Sequence, residues 1–145
     1  MTTSQTSTRT GFPGTVAAVL AIACFATAAY ADQVKVTLSG DSEVPPVKTM
    51  ASGSGTITIN PDMSVSGGVT TTGLVATMAH IHMAAEGKTG PVIVPFVKNG
   101  DNGWMAQDGA KLTEAQYKAY KAGELYINVH TAENKSGEIR GQLKP

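Results

Sequence analysis

The sequence predicts a mainly β domain: an antiparallel, Greek-key-like sandwich or barrel with one short helix at about residues 113–122. Three observations carry this reading. Short stretches alternate apolar and polar residues with the two-residue period of half-buried strands. Clusters of Gly, Pro, Asn and Asp punctuate them at regular spacing. Only one stretch combines the start and stop signals of a helix. Short strands in series with a lone helix fit two packed sheets or a closed one.

Residues 33–39 set Val34, Val36 and Leu38 against polar neighbours, the pattern of a strand with one buried face. Pro45 and Pro46 then remove two backbone donors and impose an extended crossing segment. Residues 53–60 alternate again and end at Asn60-Pro61-Asp62, a turn sequence. Residues 63–72 are strand-like, and Gly67-Gly68 suggests a bulge or bend within them. A strand at about 74–83 carries two histidines, with Val75, Ala79 and Ile81 as its expected core side. The continuous apolar run 92–97 suits a strand covered on both faces, and 98–109 reads as a polar loop containing Trp104. Thr113 and Gln116 have the spacing of a capping box, and Gly123 stands where a helix stop belongs. Tyr117 and Tyr120 of that helix are expected to pack on the sheet. Strands at 125–131 and 137–143 close the chain. Matching their apolar faces pairs Val129 with Gly141 and His130 with Arg140.

Residues 1–31 read as a signal peptide. A polar start with Arg9 leads into an uncharged apolar segment, and Ala29-Tyr30-Ala31 fits a small-x-small cleavage pattern. The segment is short for a membrane span. Ala21-Ile22-Ala23-Cys24 loosely resembles a lipoprotein box but lacks its usual leucine, so cleavage before Asp32 is expected and the product is secreted or periplasmic. Residues 32–145 then form one domain, long enough to bury a single core. Its ten basic and eleven acidic residues give a formal charge of −1, with no basic patch for nucleic acid or an anionic membrane. The only cysteine, Cys24, lies in the leader, so no disulfide braces the domain.

The chemistry concentrates in three histidines. His80 and His82 are two residues apart in a predicted strand, so both imidazoles leave one face, with Met78 beside them. Met83 adjoins this set. His130 lies far downstream, on the strand face that also carries Asn128. Both faces point away from the expected core, which predicts that the three rings converge.

Five motifs taken in order are familiar. Leu38-Ser39-Gly40 with Glu43-Val44-Pro45-Pro46-Val47, Ala79-His80-Ile81-His82, Gly90-Pro91-Val92, residues 125–131 and residues 137–143 together resemble the chordin-type (CHRD) domain across nearly the whole mature chain. The resemblance implies an extracellular β-rich domain. It also implies a possible role in contacting an extracellular protein, and it transfers no reaction. The His-x-His pair with a distant strand histidine is similar to the copper site of copper/zinc superoxide dismutases. Those enzymes use four copper histidines, a zinc site and a disulfide, and this mature chain has three histidines and no cysteine.

Imidazoles suit copper, zinc, nickel and iron, and thioethers favour copper, so copper leads and zinc follows as the expected ion. Zinc–hydroxide chemistry would want a general base, and Glu86 is the one candidate in the sequence. Arg140, the sole arginine of the mature chain, would stand beside His130 in the predicted register and could draw in a small anion such as superoxide. No nucleophile elbow, P-loop or dinucleotide fingerprint is present. Two principal readings follow. One is a secreted copper-binding protein for copper binding or redox protection, with binding favoured over a dismutase-like enzyme. The other is a metal-free extracellular interaction domain.

Overall fold

The computed structural model describes residues 1–4 and 30–145. The leader's apolar segment and Cys24 lie outside these residues. The domain is a closed antiparallel barrel of eight strands: β1 (Asp32–Ser39), β2 (Ser52–Ile59), β3 (Val65–Thr72), β4 (Ala76–Met83), β5 (Val92–Asn99), β6 (Gly103–Ala106), β7 (Leu125–Thr131) and β8 (Ile139–Leu143). Around the barrel they run β1-β2-β3-β6-β5-β4-β7-β8, back to β1. The chain leaves the β1–β2–β3 meander, crosses to β4, and returns through β5 and β6 to lie beside β3. That connection is a Greek key.

Strand alternation builds the core. Val34, Val36 and Leu38 of β1, Ile57 and Ile59 of β2, and Ala79 and Ile81 of β4 all point inward with Ile127, Val129, Ile139 and Leu143. Helix α1 (Glu114–Lys121) plugs the barrel with Tyr120, which is fully buried, and Tyr117 packs partly against the core. Its capping box is complete: the Gln116 amide donates to the Thr113 hydroxyl, and the Thr113 amide donates to the Gln116 side chain.

Several expectations are corrected. Gly67 and Gly68 make no bulge, because the β2–β3 register runs unbroken from Ser52–Thr72 to Ile59–Val65. They serve close approach instead: a Cβ on Gly68 would lie 2.1 Å from the Trp104 carbonyl oxygen. Trp104 is not in a loop but in β6, buried against the core. Val75 is 83% exposed, because β4 starts one residue later and its register with β7 shifts between Ala76 and Met78. The apolar run of β5 is half-exposed at Val92 and Val97, with only Val94 and Phe96 buried. The strand covered on both faces is β7, whose seven residues are all buried. Segments 40–51, 84–91 and 132–138 lie over its outer side and attach there through Glu43, Gly90 and Lys135.

The β7–β8 register is also offset from the expected one. Ile127 faces Gly141, Asn128 faces Arg140 and Val129 faces Ile139. The slip is two residues, which leaves every side chain on its expected face and is therefore invisible to apolar patterning. The tighter turn sets it: the Glu138 amide donates to the Val129 carbonyl, and the Gly137 amide to the Asn134 carbonyl.

Candidate metal centre

The three histidines meet on the outer face of β4 and β7. Even-numbered positions of β4 from Met78 onward and of β7 stand on this face, since Ala79, Ile81, Ile127 and Val129 fill the core. The register sets Met78 opposite His130, His80 opposite Asn128 and His82 opposite Tyr126. Ring centroids are 5.0 Å apart for His80–His130, 5.6 Å for His80–His82 and 6.0 Å for His82–His130. One nitrogen from each ring lies within 4.8 Å of the others. Two imidazoles sharing an ion at about 2.0–2.1 Å can have their nitrogens at most about 4 Å apart. His80 Nδ1 and His130 Nε2 already satisfy this at 3.1 Å.

Backbone carbonyls dictate which nitrogens are free. His82 Nδ1 lies 2.9 Å from the Gly90 oxygen, and His130 Nδ1 lies 2.9 Å from the Lys135 oxygen. A carbonyl only accepts, so each Nδ1 carries the proton and each Nε2 presents a lone pair. This carbonyl-anchored arrangement is common among metal-binding histidines. His130 Nε2 accepts from His80 Nδ1–H in the metal-free protein, where an ion would take that proton's place. His82 Nε2 is buried and has no partner. Such an acceptor costs about 1–3 kcal/mol when left unsatisfied, which an ion would offset. Burial holds all three imidazoles below their ordinary pKa. At His80 the neighbouring His130 and His82 add to it, and the carbonyl bonds at His82 and His130 oppose it. The rings are therefore neutral near pH 7, the form that ligates metal.

The profile of the CHRD domain matches residues 34–143. The chain belongs to the CHRD domain family. Comparisons with curated proteins and with solved structures give no match. CHRD domains are typically extracellular, and among the described residues no helix is long and apolar enough to cross a membrane.

Within this CHRD barrel the other candidate residues fall into place unequally. Met78 stands on the histidine face, opposite His130 and 49% exposed. Met83 does not join it: an odd position of β4, it packs against the core. Glu86 is exposed and turned to Lys144, with its Oε2 2.8 Å from Nζ, so it does not serve the centre as a base. Arg140 is not beside His130. It lies opposite Asn128 with its guanidinium carbon 3.5 Å from the Tyr126 ring centre, and its Nη atoms donate to the Lys88, Ala85 and Gln142 oxygens. It is 2% exposed and committed to holding a loop, which removes the anion-guiding role.

Sequence reasoning missed two residues of the CHRD site's surroundings, Glu43 and Glu138, and named Asn128 without its partner. Glu43 is buried on the outer face and accepts from Asn128 Nδ2; desolvation pushes its carboxyl up to about 7. Asn128 was visible as the one polar residue amid the apolar strand 125–129. Glu138 accepts from Thr49, Thr131 and Asn134, and so fixes the loop that delivers the Lys135 carbonyl to His130.

Proposed function

We propose that this CHRD domain is a secreted or periplasmic copper-binding protein whose centre is His80, His82 and His130. The observation that carries the reading is the buried, unpartnered Nε2 of His82 beside two further imidazoles whose protons are placed by carbonyls or by one another. Three neutral imidazoles suit copper or zinc, and the thioether of Met78 on the same face favours copper, with zinc as the runner-up. Bound copper would supply redox chemistry; the chain's own residues hold and orient the ligands. Binding rather than turnover is favoured, because Glu86 and Arg140 are both engaged away from the histidines.

The test is metal analysis and calorimetric titration of leader-free protein carrying no affinity tag. One copper per chain is expected in the wild type, with strong loss in His82→Ala and His130→Ala and weaker retention of zinc. Absence of copper uptake, or uptake indifferent to both substitutions, would sink the proposal.

A further inference from the structure

We infer that Arg140 is a positioning residue for His82, acting through the 84–91 loop that joins β4 to β5. This rests on the reading of His82 as a metal ligand. The loop folds back over the outer face of β7 and β8 and is held there at its backbone. Arg140 Nη1 donates to the Lys88 oxygen at 2.7 Å, Arg140 Nη2 to the Ala85 oxygen at 3.4 Å, and Gln142 Nε2 to the Ala84 oxygen at 2.9 Å. At its far end the loop presents Gly90 to two stacked rings. The Gly90 amide donates to the Tyr126 hydroxyl at 3.2 Å, and the Gly90 oxygen accepts from His82 Nδ1 at 2.9 Å. His82 and Tyr126 lie 4.9 Å apart with an interplanar angle of 11°, and Arg140 sits over that same Tyr126 ring. Gly90 must be glycine to reach this place, since a Cβ would lie 1.9 Å from the Met83 carbonyl oxygen.

The guanidinium thus reaches His82 by two routes, the loop backbone and the Tyr126 ring. Both end by keeping a carbonyl on Nδ1, and the tautomer of a histidine is set by the hydrogen bond its other nitrogen makes. With the loop lifted, the proton can move to Nε2 and cover the lone pair that faces the centre. His130 is anchored independently, through Lys135 on the opposite loop, and so serves as an internal control. A planar fork that stacks and donates along two directions is a property of arginine that lysine lacks.

The experiment is nitrogen-15 NMR of the ring nitrogens in metal-free protein at pH 7.5, with copper affinity measured in parallel. Wild type is expected to show Nδ1–H at both His82 and His130. Arg140→Lys is expected to give mixed tautomers at His82 alone, and a copper affinity lower by about 10–100-fold, the usual cost of losing an outer partner of a ligand. An unchanged His82 tautomer in Arg140→Lys overturns the inference. If Arg140→Lys loses the His130 signature as well, Tyr126→Phe decides, because it keeps the ring and removes only the acceptor for the Gly90 amide. A shift confined to His82 then supports the inference, and none overturns it. Should the tautomers respond as expected while wild type takes up no copper, the positioning role stands and the metal-binding reading fails.

Discussion

Glu43 carries an unusual burden for a carboxyl group in a barrel wall. It is enclosed by the outer face of β7, hydrogen-bonded to Asn128, and titrates near 7 because burial outweighs the help of Asn128 and Arg140. Its folded pKa lies above the unfolded one, so its contribution to stability is full below about 4.5 and is lost as pH rises through about 7. The three histidines act in the opposite sense. Their folded pKa values are depressed, so their contribution is full above about 6.5 and declines as pH falls below it. Glu43→Gln should therefore unmask the histidines. Denaturant unfolding of the metal-free variant should show a steeper loss of stability on acidification than wild type. Near pH 8, where wild type carries the desolvated carboxylate, the variant should be the more stable of the two. Parallel curves for the two proteins would mean that Glu43 is more hydrated than its position implies. Copper affinity should hold through pH 6.5, because the folded imidazoles are depressed below that value, and fall only on further acidification, as protons compete for the same nitrogens. A titration series between pH 5 and 8 checks this.

At the scale of elements, glycines set how closely the strands approach. A Cβ on Gly55 would lie 1.9 Å from the Gly68 carbonyl oxygen, and one on Gly68 would lie 2.1 Å from the Trp104 carbonyl oxygen. These obstacles are backbone and cannot swing aside. Gly68→Ala should cost at least about 2–3 kcal/mol, in the range of overpacked cores, and should move the Trp104 fluorescence. Thr113→Ala, which removes one half of the capping box of α1, should cost about 1 kcal/mol with no change in Trp104 emission. Urea unfolding of both variants measures the contrast. The helix was legible in the sequence because its signals are local: a hydroxyl, an amide three residues on, and a glycine at the stop. The histidine face was legible because strand period alone places positions 80, 82 and 130. The strand register was legible only to within two residues, since a slip of two keeps each face, and that slip moved Arg140 from His130 to Asn128. Trp104 read as part of a loop because β6 has only four residues and one of its two partners, β3, is distant in sequence. The carbonyls of Gly90 and Lys135, which choose the free nitrogens, have no side-chain signature at all.

For the whole molecule, the histidine cluster stands on the wall of a closed barrel, and a ligand there acts on global stability. An ion that binds only the folded state adds about 2.7 kcal/mol at a free concentration 100-fold above its Kd. Copper should therefore raise the melting temperature of the wild type and leave that of His82→Ala nearly unchanged, as read by calorimetry. The barrel closes where β8 meets β1, with Ser39 paired to Arg140 and Gly141 so near β1 that a Cβ would lie 2.4 Å from the Thr37 carbonyl oxygen. The first and last strands of the domain are thus wall-mates. A nascent chain cannot complete either the cylinder or the loop-holding contacts of Arg140 until residues 139–143 have been synthesised. Contacts of such long sequence separation form slowly compared with local ones. Up to that moment β1 and β7 each keep one edge without a partner strand, and the wall is an open sheet rather than a cylinder.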